Sequence, residues 1–423
     1  MSLVEVINFN SDASCLDAKK WLGCLQGGGK SNFVKMLDSY VQADRKTNLG
    51  LTAATIHDLS YFNPEAIHFI NEHSDIFQLV IRPYAHDSPL LRLPDGFRFN
   101  LEKGIEVITR FFKNVSRSYL QPEIITTGEQ ISILREFGID NIFIHRYRYH
   151  ESIRKKIPCF PFQILGTLGS SISCIPFTHK SLETIYLQAL HGVISEQIWS
   201  DQIAKEIKGC IDESQDIYIW RDGESCLLVP KGIQYEASIL QSEKYKRIER
   251  KLLSETNLTQ SGDAFSYESE NSKTSPISFF PAYSMKPWLN EMKLYWFISR
   301  VHEIELRFSD LSNIEKMLWL MLINSDILSS IERKPPVIAV SRDIFCVDPQ
   351  DISWIGVLAH PEKGKITLLR SERSGEAEDY LAYWQKVHEH KMSIESLLET
   401  WSSSQKPYLQ KAYARVRGLI HYS

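Results

Sequence analysis

Two hydrophobic periods alternate along the first 250 residues. Short β-rich runs stand at 4–9, 49–55, 79–84, 141–147 and 217–220. Between them lie stretches whose apolar residues recur every three or four positions: 32–44 (Phe33, Met36, Leu37, Val41), 64–71, 101–112, 129–137 and 181–208. The first period predicts strands and the second amphipathic helices. Asn63 before Pro64 reads as a helix N-cap with proline at the first helical position. Gly138 reads as the residue that ends the 129–137 helix. Two shorter β candidates follow at 162–165 and 172–175. Repeated strand-then-helix order predicts a parallel sheet or barrel with helices outside, whose chemistry sits at the C-terminal ends of the strands.

That rhythm stops at the polar stretch 254–276, rich in Ser, Asn and Thr, which reads as a loop or linker. Residues 288–333 read as wholly helical up to Pro335-Pro336, and 337–423 offers strand candidates at 337–340, 354–358 and 366–369 followed by helices. The expected domains are a barrel over 1–253, a linker over 254–276, a helical domain over 277–336 and an α+β segment over 337–423.

The chain has 423 residues, 43% hydrophobic and 24% charged, enough for a large core without disulfides or metals. A formal net charge of −4 argues against a nucleic-acid partner. The 7 cysteines are odd in number and show no C-x-x-C pair, which fits a reducing compartment. No signal-peptide pattern opens the sequence, and the apolar run near 318–323 is too short to cross a membrane. The expectation is a cytoplasmic protein with no membrane and no nucleic-acid partner; oligomeric state is left open.

Candidate chemistry follows the strands. Pro122-Glu123 is either a surface Glu opening the next helix or a carboxylate at a strand mouth. Asp222-Gly223-Glu224 is either a simple β-turn or a rim carboxylate after a strand. Together they could form the carboxyl pair that a glycosidase needs, about 5–5.5 Å apart where configuration is retained. His86, in the run 82–91, could bind a hydroxyl or position a carboxylate, or sit in a surface loop. Arg146 and Arg148 share one face of their strand and are either solvated charges or an anion site. Gly27 to Ser31 resembles the end of a phosphate-binding loop, but its first required glycine falls on Cys24. His388-Glu389-His390 diverges around a helix and makes a poor metal site.

Several pieces occur in the order found in the family 57 glycoside hydrolases. AHDSPLL (85–91) resembles that family's His-containing loop after its third strand, QPEIITTGEQISILREFGID (121–140) the stretch after its fourth, and IYIWRDGES (217–225) its D-G-E-N motif. The runs 284–289 and 322–328 resemble its G-S-W-I and S-D-W-F-W motifs. The resemblance spans 1–330 and implies a distorted (β/α)7 barrel, of the α/β class, with an attached helical bundle. It implies a retaining glycoside hydrolase or glucan transferase acting on α-glucan-like oligosaccharides or polysaccharides, with no cofactor and no metal. The nucleophile would fall on Glu123 and the acid/base on Asp222, with His86, Glu224, Trp288 and Asp326 binding substrate; Arg146, the anion-site candidate, is a further expected substrate-binding residue. The family's opening His-x-His pair is replaced by Asn8 and Asn10, and the aromatic run after Ser325-Asp326 by Ile327 and Leu328.

Two other functions fit the same residues. One is a non-catalytic glycan-binding or assembly protein on this barrel, motivated by the lost His pair. The other is a metal-dependent deacetylase-like enzyme drawing on His57-Asp58, His86-Asp87 and His145. If Glu123 is the nucleophile, Glu123→Gln abolishes turnover of an α-glucan; full activity in that variant removes the assignment.

Overall fold

The computed structural model describes residues 2–10, 18–87, 92–124, 126–146, 158, 160–166, 169–177, 195–209, 216–228, 231–256, 258, 292–324, 357–360, 365–368 and 376–422, although a few side chains within these elements lie outside the description. The elements are β1 (Leu3–Phe9), α1 (Ala18–Leu25), α2 (Asn32–Gln42), β2 (Thr47–Leu51), α3 (Ala53–Phe62), α4 (Pro64–Glu72), β3 (Phe77–Ile81), α5 (Pro94–Phe111), β4 (Val115–Tyr119), α6 (Gly128–Glu136) and β5 (Asn141–His145). Then come β6 (Phe162–Leu165), β7 (Ser171–Phe177), α7 (Glu196–Gly209), β8 (Ile217–Asp222), α8 (Gly223–Leu228), α9 (Gly232–Gln241) and α10 (Glu243–Lys246). The remainder is α11 (Met292–Glu305), α12 (Asn313–Leu322), the hairpin β9 (Val357–His360) and β10 (Lys365–Leu368), α13 (Glu376–His388), α14 (Ile394–Ser402) and α15 (Pro407–Tyr422).

One sheet runs in the order β6-β7-β5-β4-β3-β2-β1-β8. Its ladders are parallel except for β6 on β7. The two parallel end strands, β7 and β8, lie beside each other, so the sheet curls around an interior. Side-chain alternation sorts two cores. Leu3, Ile7 and Phe9 of β1, with Ile217 and Ile219 of β8, pack under the helices. Val4, Val6 and Tyr218, with Phe143 of β5, fill the inner core. By the same alternation Asn8 and Asp222, partners in the β1–β8 register, fall on the inner side.

Local chemistry explains where the elements differ from the sequence expectations. The run 49–55 is not one strand. Thr52 is a helix N-cap whose side chain accepts from the Thr55 N–H, so β2 ends at Leu51 and a helix begins at Ala53. Asn63 makes no side-chain cap; its amide donates to the Leu25 and Gly28 carbonyls and to Ser31 Oγ. Gly138 does end the 128–136 helix, at φ +70°. Within 288–333 the described part holds two helices: α11 ends at Glu305, and a Ser312–Glu315 capping box starts α12. The strand candidate at 337–340 lies outside the described residues.

The C-terminal helices are built onto the barrel's outer layer. Trp384, Trp401, Leu409 and Val416 join the hydrophobic cluster that covers the sheet. Asp58 of α3 accepts two hydrogen bonds from Arg415 of α15, Nε to Oδ1 at 2.9 Å and Nη2 to Oδ2 at 2.7 Å, and both groups are buried. Tyr84 donates to the Arg415 carbonyl at 3.4 Å and lies 3.0 Å from His57 Nδ1. A side chain at Gly418 would meet the His57 ring at 2.8 Å, so only glycine lets α15 approach. Burial, then the Arg415 charge, pushes His57 down to about 3, which keeps the imidazole neutral. Arg415→Ala leaves the Asp58 carboxylate buried and uncompensated, and costs about 3–5 kcal/mol of stability. Urea unfolding of the variant checks this; a midpoint matching the parent sinks the account of how α15 docks.

Candidate functional site

The site is assembled from residues just past the C-terminal ends of the strands. β8 delivers Asp222 as its last residue, and α8 starts at once with Gly223 and Glu224. A Cβ at Gly223 would overlap the Phe9 ring and come within 2.8 Å of Ile7, so glycine alone allows strand to turn into helix against β1. The D-G-E segment is therefore a strand end leading into a helix, not a free β-turn. Asn8 Nδ2 of β1 donates to Asp222 Oδ1 at 3.1 Å. The backbone N–H of Asn10 donates to Glu224 Oε1. Glu224 is buried, and burial followed by the neighbouring Asp222 charge pushes its carboxyl well above the usual range, favouring the neutral acid. Arg82 opposes that shift.

β3 supplies Arg82, whose Nη2 lies 3.0 Å from His86 Nδ1; both residues are buried. His86 is thus buried rather than on a surface loop, with the Arg82 guanidinium and the Asp87 carboxyl as its charged neighbours. Gly50 of β2 leaves room for Arg82 to cross the interior: a Cβ there would meet Leu120 at 2.6 Å and Arg82 Cδ at 3.4 Å. β4 ends in Tyr119, and Gln121 then ties it to β5, donating to the Phe143 carbonyl at 2.9 Å and accepting from its N–H at 3.1 Å. The following turn, Pro122–Ile124, carries Glu123 at the same end of the barrel; the Glu123 side chain lies outside the described residues. β5 contributes His145, whose ring stands edge-on to Trp220 at 5.1 Å. Arg146 follows it, half-buried; Arg148, Trp288, Asp326 and the Ser325 to Leu328 run lie outside the described residues.

Sequence reasoning missed Arg82 and Trp220, and it read Asn8 and Asn10 as replaced histidines still able to bind hydroxyls rather than as partners of the two carboxyls. Strict alternation from Val4 and Val6 would have found Asn8, and a cationic residue closing the apolar run 79–81 would have flagged Arg82. On the inner side, Asn8 Oδ1 and Trp220 Nε1 are buried without a hydrogen-bond partner among the described residues. Such groups are costly in a dry core and useful facing a polyhydroxylated ligand.

Beside this cluster, Asp87 forms a bridge to Asn324 just after α12. Arg92 lies between two buried carboxyls, 3.6 Å from Asp87 Oδ2 and 3.1 Å from Glu305 Oε2. One guanidinium cannot offset the desolvation of both, so burial dominates and pushes Asp87 up to about 6 and Glu305 upward as well. No group of three or more His, Cys, Asp or Glu is placed to hold a metal ion among the described residues. His57 and Asp58, raw material for a deacetylase-like centre, are spent on docking α15. The Gly27–Ser31 run holds no strand-to-helix phosphate loop: the Gly29 N–H donates to Glu65. His388 and His390 part company as the helix ends between them, and His388 pairs with Glu315.

No protein-family model matches the chain, and no curated protein matches it in sequence. Solved structures do match in fold. The GH57-type branching enzyme from Pyrococcus horikoshii superposes with TM-score 0.60 at 10% identity, covering 98% of this chain and 94% of that chain. The alpha-amylase AmyC from Thermotoga maritima gives TM-score 0.53 at 9% identity, covering 98% and 99%. A GH57 branching enzyme from Thermococcus kodakaraensis, solved in complex with glucose, gives 0.57 at 10% identity, covering 77% and 85%. The chain is an α/β protein with the fold of these enzymes. No helix among the described residues is long and apolar enough to cross a membrane.

The Asp87 shift carries a sign. Its carboxyl binds a proton more tightly folded (about 6) than at its ordinary 3.8, so its contribution is largest below 3.8 and is lost as pH rises to about 6. Between pH 4 and 7, Asp87→Asn gains about 3 kcal/mol relative to the parent. Parallel stability curves for the two proteins in urea titrations across that range contradict the assignment.

Proposed function

We propose that this protein is a carbohydrate-active enzyme working on α-glucan-like sugars, a retaining glycoside hydrolase or glucan transferase on a (β/α)7-type barrel. The observation that carries the reading is Asp222, held by Asn8 at the inner end of β8 beside the buried Glu224. Supporting it are the buried, unpartnered Trp220 Nε1 on the same inner side and the fold shared with branching enzymes and an amylase. In the proposed reaction the Glu123 carboxylate attacks the anomeric carbon as Asp222 protonates the departing glycosidic oxygen. Asp222, now charged, then takes a proton from water or from a sugar hydroxyl as that oxygen displaces Glu123. Glu224, His86, Trp288, Asp326 and Arg146 are assigned to substrate binding, with Arg82 steadying His86. Oligosaccharides and polysaccharides are the proposed substrates.

A glycan-binding protein without turnover is the second reading, favoured by the engagement of Asn8 and Asn10 with the two carboxyls in place of a His-x-His pair. Activity on amylose and maltooligosaccharides decides between them. Asp222→Asn lowers product formation, read as reducing ends or new branch points, by about 10²–10⁴-fold. Undiminished activity in that variant removes Asp222 from the chemistry. Sugar binding without turnover in the parent selects the second reading.

A further inference from the structure

We propose that Asn8 is the positioning residue of Asp222, its side-chain amide setting both the direction and the acidity of that carboxyl. The inference rests on the reading of Asp222 as acid/base. Asn8 lies between two parallel ladders, opposite Gly50 on β2 and Asp222 on β8, so its backbone has no freedom to turn the side chain elsewhere. Glycine opposite leaves no side chain on β2 to compete for the amide. Asn8 is 6% exposed and its Nδ2 sits 3.1 Å from Asp222 Oδ1. The amide could in principle point either way, but the reverse orientation would set its Oδ1 against a carboxylate oxygen. Its Oδ1 has no hydrogen-bond partner among the described residues, so Asp222 alone fixes the orientation. Glu224 is served separately, by the Asn10 backbone N–H. The end of β1 thus gives each carboxyl its own donor.

A donor to the charged form lowers a carboxyl pKa, and removing it raises that pKa. The other groups near Asp222 are Glu224, whose carboxyl is pushed toward the neutral form, and Arg82 with His86 across the interior; His145 faces Trp220 on the same inner side. All of these stay in place when Asn8 is changed.

The test is the pH profile of kcat/KM on a maltooligosaccharide for the parent, Asn8→Ala and Asn8→Asp, with Asp222→Asn as control and thermal melting to confirm folding. Asn8→Ala moves the basic limb, where the general acid loses its proton, upward by about one unit. It lowers kcat about tenfold or more while KM stays within about twofold. Asn8→Asp, which sets a like charge beside Asp222, moves the limb further. If Asn8→Ala melts early, Asn8→Ser, too short to reach Asp222, replaces it. An unmoved limb together with an inactive Asp222→Asn overturns the role of Asn8 and leaves the acid/base reading standing. An active Asp222→Asn overturns that reading instead. Should the parent show no turnover, difference infrared titration reads the carboxyl band that Asp222→Asn removes; an identical midpoint in Asn8→Ala overturns the proposal.

Discussion

The register between β1 and β8 is the constraint on which the rest depends. Alternation gives each strand two faces, and these two carry charge on both. On the outer face, under the helices, Arg221 pairs with Glu5 and lies 2.8 Å from Glu236, while Arg250 reaches Glu5 at 2.9 Å. On the inner face Asn8 holds Asp222. A slip of one residue would turn Glu5 into the barrel and Asp222 out of it. Burying Glu5 is expensive, yet its two arginines together hold its carboxyl below the usual range despite that burial. The outer ion cluster therefore penalises every register except the one that brings Asn8 and Asp222 level. Its value to the protein lies in specifying geometry as much as in net stability.

The helical layer is coupled to the same end of the barrel by polar contacts as well as by its hydrophobic cluster. Arg92 spans Asp87, past the end of β3, and Glu305, the last residue of α11. Asn324, past α12, bridges back to Asp87. His86, adjacent to Asp87, lies against Arg82 in the interior. A continuous chain of buried groups thus runs from helices 292–322 to the centre of the candidate site. On the other flank α15 is clamped to α3 through Asp58 and Arg415, so the C-terminal segment is structurally committed to the barrel.

Much of the architecture was legible because it follows periodicity. The parallel strands and their helices announce themselves through alternation, and Gly138 marks where the 128–136 helix stops. Boundaries were legible only where a cap chose between equally plausible elements. Thr52 ends a strand because its hydroxyl accepts the Thr55 N–H, a bond that β-propensity cannot foresee. The site was legible as a set of strand ends, but the roles within it were not. His57-Asp58 looked like ligand chemistry until α15, more than 350 residues away in the chain, supplied Arg415. Asn8 looked like a loss because sequence order does not display the residue across the ladder.

What remains is why the interior tolerates so many polar groups. A core formed only for stability would replace Asn8 and Trp220 with apolar side chains, since each buried donor or acceptor without a partner costs about 1–3 kcal/mol. Arg82 and Glu224 add two ionisable groups in the same volume, one of them pushed toward neutrality by its surroundings. The backbone there is arranged to permit this: Gly50 clears space for Arg82, and Gly223 lets Asp222 end a strand with no gap before the next helix. These polar groups, with the carboxyl that Asn8 holds, are gathered at one end of the barrel.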